Sequence, residues 1–402
     1  MNRGLSTLAL VALLSAGIAG GVGLAARFDG GAGSDPRNLD AALTLQSAFN
    51  RAATVATPAV VHITTTEDVN LEGNNGYGAG AGDNVGSGVV VSGQGHIVTN
   101  LHVVRGASGC RVRFVDGSEY SGKVVGGDPD SDLAIVKIDA GAKALTPIVF
   151  ADSDRARVGD FVFAIGSPFG YTHTVTSGIV SAKHRRLEFG MPYEDYLQTD
   201  AAINPGNSGG ALVNLKGELV GLNTAIVSRN RASDGVGLAI ASNVVKWVQE
   251  RLIRDGVVRR GYLGIGPFDL DPRGLRMVPA RLAAAWTPEE MASLLDLAKA
   301  QSPEEMAKRL GLAEPAGVLI LSVTRRSPAG EIPLRFLDVM TEFDGRPVRN
   351  RHELFFQVAE LAPGRRVKLK FVRDGKAQEA EVVLAERPTP RDAAQIPLDI
   401  PK

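Results

Sequence analysis

From Ala59 onward the chain alternates short apolar runs with breaks rich in glycine and asparagine. The segments 59–66 (AVVHITTT), 86–100 (GSGVVVSGQGHIVTN), 110–128, 133–139 (LAIVKID), 161–170 (FVFAIGSPFG) and 174–184 (TVTSGIVSAKH) follow one another, with Asp-Gly and Gly-Gly turns among them. Runs of this length at this spacing predict an all-β barrel or sandwich. A hairpin closing at Lys216-Gly217 and the run 235–242 (GVGLAIAS) extend the pattern past residue 208. The period then becomes helical. In SNVVKWVQERLIRDG, Val244, Trp247, Val248 and Leu252 share one face, Ser242 or Asn243 stands in the capping position, and Gly256 ends the helix. A β-rich region closing with one helix therefore spans about 59–256.

A second patterned region begins near Gly261. It carries strand-like runs at 317–323 and 337–345, and a helix NRHELFFQVAEL with an Asn350 to Glu353 capping box. A hairpin over 366–384 turns on Asp374-Gly375, with Val367, Leu369 and Phe371 alternating. Between Pro267 and Gly311, TPEEMASLLDLAKAQ and SPEEMAKRLGLAEPA each place Thr or Ser before proline and two glutamates in the first turn, which predicts two short helices. Upstream, Met1-Asn2-Arg3 leads into the uncharged run 5–26. That run is long enough to cross a bilayer and equally suits a secretory signal with small residues near Ala19 or Ala25. Residues 27–40 read as a spacer, Leu43 to Ala56 as a helix, and 70–84 as a mobile loop. The resulting organisation is a signal or anchor at 1–26, spacer and helix at 27–58, a first domain at 59–258, a second at 259–388 with a helical insert at 267–311, and a tail at 389–402.

Composition narrows the function. The 402 residues hold 44 basic and 44 acidic side chains, so no overall field favours nucleic acid. The single cysteine, Cys110, excludes an internal disulfide framework and a cysteine-based zinc site, and reads as a small buried apolar residue. Export combined with one cysteine fits a bacterial envelope protein.

The chemistry concentrates in TDAAINPGNSGGALVN, residues 199–214. Gly206, Gly209 and Gly210 around Ser208 imply a tight turn with exposed amides. Gly206-x-Ser208-x-Gly210 also spells the nucleophile elbow of α/β-hydrolases. A serine nucleophile needs a base, and the base needs an orienting carboxylate. Of the six histidines, His62, His173, His184 and His352 read as surface or packing residues and His96 as part of a solvated turn. His102 follows a strand and the helix-start pair Thr99-Asn100, which sets its imidazole in the first turn. Asp132 stands immediately before the apolar strand 133–138, whereas Asp128 and Asp130 flank Pro129 as turn formers. The order His, Asp, Ser belongs to chymotrypsin-like proteases, while α/β-hydrolases run Ser, Asp, His. The elbow reading therefore fails.

The motifs GSGVVVSGQGHIVTNLHVVRGA, DPDSDLAIVKID, AIGSPFGYTHTVTSGIVSA, YLQTDAAINPGNSGGALVNLKGELVGLNTAIV and VGLAIAS resemble the successive signatures of the HtrA/Deg serine proteases. YLGI (262–265), SPAG, DVMTEFDGRPV and LAPGRRVKLKFVRDGK resemble that family's PDZ domain, with Leu337 where a glycine usually precedes the aspartate. The resemblance implies a mainly β protein, a double six-stranded chymotrypsin-like β-barrel followed by a smaller α/β PDZ-like domain. It implies His102 as general base, Asp132 as its orienting group and Ser208 as nucleophile, with the amides of Gly206 and Ser208 as the oxyanion hole. It further implies that Ile203 and Ile226 line the primary specificity pocket, that Arg185 is a regulatory sensor, and that Tyr262, Leu263, Gly264 and Ile265 receive a peptide carboxylate by strand addition. No cofactor or metal is implied. The implied partners are unfolded or misfolded envelope proteins and peptide C-termini, in a periplasmic homotrimer or larger assembly with a possible membrane tether through 5–26. A non-proteolytic chaperone or sensor scaffold is the alternative, against which an intact triad argues.

Overall fold

A computed structural model describes residues 36–65, 84–107, 109–167, 173–186, 193–226, 235–277 and 286–388. The run 5–26, the loop 70–83 and the tail 389–402 lie outside the described residues. Among the described residues no helix is long and apolar enough to cross a membrane.

The alternating segments form two closed barrels. β1 (Val60–Thr65), β2 (Asn84–Val90), β3 (His96–Asn100), β4 (Gly109–Arg113), β5 (Glu119–Asp128) and β6 (Leu133–Ile138) close in the order β1-β2-β3-β6-β5-β4. β7 (Phe161–Gly166), β8 (Thr174–Arg185), β9 (Tyr196–Thr199), β10 (Ala211–Asn214), β11 (Leu219–Ile226) and β12 (Gly237–Ala241) close as β10-β11-β12-β9-β8-β7. Closure removes the exposed edges that strands this short would otherwise present. Ile63, Ile97, Leu133 and Ile135 fill the first interior, and Ile165, Leu197, Leu212 and Leu219 the second. β9 escaped the pattern reading because three of its four residues are buried, so no alternation marks it. Cys110 is half-buried rather than buried. Burial pushes its thiol up to about 11, which keeps it protonated and unreactive.

The first described helix starts at Pro36, earlier than Leu43, and runs to Ala56. Phe49 sets its ring 5.5 Å from Phe161 and 4.8 Å from Phe163, and Ala52 and Ala56 are fully buried, so its C-terminal half packs on the second barrel. Leu39, Leu43 and Leu45 stay exposed. The helix Ser242–Asp255 packs on β5 and β6 of one barrel and on β11 and β12 of the other. Its N-cap is Ala241, not Ser242 or Asn243. Those two side chains instead donate to Ala151 O (2.7 Å) and Asp152 Oδ1 (2.8 Å), tying the helix to the segment before β7. Gly256 ends it in the left-handed conformation (φ 71°), as its position predicted.

The second domain comprises β13 (Gly261–Tyr262), β14 (Ile265–Asp269), β15 (Val318–Val323), β16 (Val339–Phe343), β17 (Arg346–Pro347), β18 (Arg366–Arg373), β19 (Lys376–Val383) and β20 (Ala385–Glu386), with the helix Arg351–Glu360. The sheet runs β14-β15-β16-β18-β19, β17 pairs with β16, and β13 pairs with β20. Asn350 accepts from Glu353 N (2.9 Å), but the Glu353 carboxylate takes the amide of Arg349 (3.0 Å), so the predicted capping box closes one residue early.

Pro267, Phe268 and Asp269, placed in the insert by pattern, belong to β14. Among the described residues three helices follow, Pro272–Arg276, Pro288–Leu297 and Pro303–Arg309, the second with a full capping box between Thr287 and Glu290. Leu275, Leu294, Leu297 and Met306 pack against Leu319, Leu321 and Val339. Val318 and Ile320, which alternate with these along β15, face the core that contains Leu354 of the helix Arg351–Glu360. The insert therefore covers the sheet face opposite that helix. Leu337 adopts φ 64°, the region that favours glycine, and its side chain joins the insert's core. Packing there offsets a left-handed cost of about 1 kcal/mol.

A buried ion pair joins the two parts. Arg260, 3% exposed, donates to both oxygens of Asp128 (2.8 and 2.6 Å) and stacks 4.3 Å from the Tyr193 ring. Asp128 is thus no mere turn former: it is 4% exposed and also accepts from Ser131 Oγ. Arg387 adds a contact to Asp130 (3.3 Å) from β20's end. Arg260→Ala strands a buried carboxylate, so unfolding free energy in a urea titration is expected to fall by about 3–5 kcal/mol. The double variant Asp128→Asn with Arg260→Met is expected to recover most of that loss, and an unchanged midpoint in Arg260→Ala would show the pair to be inert.

Candidate active site

Asp132 lies between β5 and β6 with φ 55°, a conformation Asp tolerates better than most residues. Its carboxylate is nearly buried and takes both protons that His102 offers. Oδ1 accepts the His102 amide (3.0 Å) and Oδ2 lies 2.6 Å from His102 Nδ1. His102 sits in the short helix Leu101–Val104 directly after β3, where the sequence reading put it, with 43% of its side chain exposed. With Nδ1–H committed to the carboxylate, Nε2 carries the lone pair, which is the tautomer of a general base.

Ser208 comes from the other barrel. Its hydroxyl donates to Thr224 O (3.2 Å), while Thr224 Oγ1 donates to Asp132 Oδ2 (3.3 Å). Asn100 Nδ2 donates to both Thr224 Oγ1 (2.9 Å) and Asp132 O (3.1 Å). One residue of β11 therefore touches the serine with its carbonyl and the carboxylate with its hydroxyl, so His102, Asp132 and Ser208 converge at the seam between the barrels. The resting hydroxyl bonds Thr224 rather than His102.

The turn before Ser208 is anchored from the first barrel. Ser87 of β2 donates its amide to Ser208 O (2.8 Å) and its hydroxyl to Gly206 O (2.6 Å). Asn207 N reaches Asn204 O and Gly210 N reaches Asn207 O, both at 2.9 Å. Among the described residues the amides of Gly206 (φ 101°) and Ser208 donate to no acceptor. Two free, adjacent donors at a fixed turn are what a developing oxyanion requires. A Cβ on Gly209 would stand 2.2 Å from Ser87 O, which explains the glycine there. Thr224 and Ser87 were invisible to motif reading, since a polar residue inside a β-run carries no spacing signal, and Asn100 was legible as a helix start but not as the donor to Thr224 and Asp132.

Ile203 is buried, 2% exposed, and its Cδ1 lies 2.9 Å from where a Cβ on Gly237 would be. Ile226 is the register partner of Gly237 across β11 and β12. Arg185 donates to Gln198 Oε1 (2.9 Å) on the outside of β8 and β9, outside the triad cluster, while Arg186 lies 5.9 Å from the Phe355 ring of the second domain. His96 is half-buried rather than solvated, its Nδ1 2.7 Å from Ser92 Oγ. In the second domain Tyr262 pairs with Ala385, and Leu263 O and Gly264 O accept from Ala329 N and Thr324 N, both at 2.9 Å. Ile265 opens β14, which ends its sheet beside the helix Arg351–Glu360.

Residues 86–222 match the trypsin-like peptidase domain family and residues 261–384 the PDZ domain family. A solved HtrA-type protease, AlgW with a tripeptide, is 35% identical, and the match covers 85% of this chain and 98% of that one with a TM-score of 0.69. The chain belongs to the HtrA family. The HtrA architecture extends to the serine endoprotease from Yersinia pestis, 30% identical over 85% of this chain and 98% of that one, TM-score 0.57. Among curated relatives, the probable periplasmic serine endoprotease DegP-like of Chlamydia trachomatis serovar D is 40% identical over 304 residues, 76% of this HtrA chain and 54% of that protein. Its counterpart in Brucella suis biovar 1 is 38% identical over 303 residues, 75% of this chain and 53% of that protein. This HtrA chain thus spans about half the length of the curated relatives it matches.

Proposed function

We propose that the protein is a serine endopeptidase of the bacterial periplasm that cleaves unfolded or misfolded proteins. The observation that carries the reading is the His102 Nδ1 to Asp132 Oδ2 contact of 2.6 Å, joined to Ser208 through Thr224. Rotation of Ser208 about χ1 takes its hydroxyl from Thr224 O toward His102. The oxygen then attacks the scissile carbonyl carbon while its proton passes to Nε2, and Asp132 stabilises the imidazolium. Negative charge collects on the former carbonyl oxygen, facing the Gly206 and Ser208 amides. His102 returns the proton to the departing amine, leaving an acyl-enzyme, and repeats both transfers with water to release the acid and restore the serine. The periplasmic setting rests on the relatives' names and on the run 5–26, which serves as cleaved signal or tether. The Tyr262 to Ile265 segment and the β14 edge receive peptide C-termini in this reading, Arg185 acts in regulation, and the assembly is a homotrimer or larger. Reaction with a fluorophosphonate tests the nucleophile. One adduct per chain on Ser208, found by mass spectrometry of the digest, is expected, and an adduct elsewhere would overturn the assignment.

The apolar surroundings of Ile203 suit a small or medium aliphatic side chain and reject a lysine or arginine left without a carboxylate. Gly237→Val places two methyl groups against Ile203. It is expected to lower kcat/KM for leucine at the cleaved position by about 10–100-fold. Alanine-directed cleavage in the same peptide series is expected to change least.

A further inference from the structure

We propose that His184, Asp195 and His352 form a binding site for a borderline divalent cation, Zn²⁺ above all, which joins the protease barrel to the PDZ domain. The three residues come from three elements. His184 stands next to the end of β8, Asp195 immediately precedes β9, and His352 lies in the first turn of the helix Arg351–Glu360. His184 Nδ1 is 3.1 Å from Asp195 Oδ1, His352 Nε2 is 3.9 Å from Asp195 Oδ2, and the three ligand atoms all lie within 4.8 Å of one another. Zinc takes His nitrogen and Asp oxygen at about 2.0–2.2 Å, so the ligand atoms of a tetrahedral site stand about 3.3–3.5 Å apart. The cluster is already within about 1.5 Å of that spacing, a distance that side-chain rotation covers.

The surroundings hold the ligands in place. Asp195 is 7% exposed, and its backbone carbonyl accepts Ala241 N (3.0 Å), which fixes it to β12. The His352 ring lies 4.7 Å from Phe356 and 5.8 Å from His184. His184 adopts φ 54°, a left-handed conformation that His enters more readily than most side chains, just where the β8 to β9 register shifts. The turn aims the ring at Asp195. About half of the His184 side chain is exposed, which leaves an open side for entry and for a water as fourth ligand. Two imidazoles with one carboxylate favour Zn²⁺, Co²⁺, Ni²⁺ or Cu²⁺ over Mg²⁺ or Ca²⁺. Arg186, close enough to act on His352 electrostatically, weakens the site, and three protein ligands hold less tightly than four. Such a metal fastens the helix beside β14 to the second barrel. Cysteine spacing does not point to it, because none of the ligands is a cysteine, and His352 meets the other two only where the second domain docks on the barrel.

The test uses the full chain carrying Ser208→Ala to prevent self-digestion, stripped of metal and titrated with Co²⁺, then Zn²⁺. One Co²⁺ per chain with the visible bands of a four-coordinate centre is expected, displaced by one Zn²⁺. His184→Ala and His352→Ala lose the bands, as does the milder His352→Gln, while His96→Ala and His102→Ala keep them. Zn²⁺ raises the unfolding midpoint only in chains with both His184 and His352. Absence of stoichiometric binding, or binding unaffected by His352→Gln, overturns the site, the latter by placing the metal elsewhere. A loss of bands in His102→Ala alone likewise overturns it, by moving the metal to the triad. None of these readouts depends on proteolysis.

Discussion

Ser208→Ala is expected to lower kcat/KM for cleavage of an unfolded protein by on the order of 10⁴-fold or more, with substrate binding retained. The size follows from what the hydroxyl alone supplies. Without it no acyl-enzyme forms, and what remains is positioning plus the two amides of the turn, which alanine leaves in place. Ser208 N and O are main-chain atoms, and the bond from Ser87 N to Ser208 O (2.8 Å) does not involve the side chain. The only described bond lost is Oγ to Thr224 O at 3.2 Å, worth about 1 kcal/mol at a partly exposed position. The folded state therefore survives, and loss of activity cannot be attributed to unfolding. Gel-based cleavage beside fluorescence anisotropy of a labelled substrate separates the two properties. Equal cleavage by both forms would remove Ser208 from the mechanism. Retained binding with no cleavage would also expose any chaperone action the scaffold performs.

What the sequence could disclose divides along a physical line. Turns and strand starts are written locally. Gly217, Asp374 and Gly375 take positive φ where their turns require it, and Asn100 leads into the helix that carries His102. These positions were legible because one or two residues determine the backbone there. Residues whose role depends on a distant partner were not. Thr224 reads as an ordinary β-strand residue until β11 is folded beside Asp132. Asp128 sits next to a proline like any turn former, yet Arg260, far along the chain, turns it into half of a buried pair. The insert gave its two capped helices to local reading, but that they cover Leu319 and Leu321 follows from β15 having a second apolar face, which the unbroken apolar stretch Val318 to Leu321 conceals. Ser242 and Asn243 failed as caps for the same reason. Each has the right chemistry for the helix end, and each found an acceptor in the segment 151–152 instead.

Asp132→Asn separates orientation from binding. Asn, like Asp, enters the left-handed region at φ 55° more readily than most side chains, so the loop between β5 and β6 is expected to keep its path. The carboxylate accepts three hydrogen bonds, from His102 N (3.0 Å), His102 Nδ1 (2.6 Å) and Thr224 Oγ1 (3.3 Å). An amide has one oxygen for these donors, and its NH₂ must face one of them. If the NH₂ faces Nδ1, the imidazole must give up that proton and carry it on Nε2, where it can no longer accept from Ser208. If the oxygen faces Nδ1, the NH₂ confronts the His102 amide, two donors in opposition. The first arrangement sacrifices a tautomer and the second leaves buried donors unpaired, and the tautomer yields more easily. A fall in kcat on the order of 10⁴-fold is expected, with KM little changed because no substrate contact is lost. Stopped-time cleavage of a peptide with an aliphatic residue at the cleaved bond measures both constants. A fall in kcat of less than tenfold would mean that Asp132 supports the fold of the loop and does not set the proton on His102.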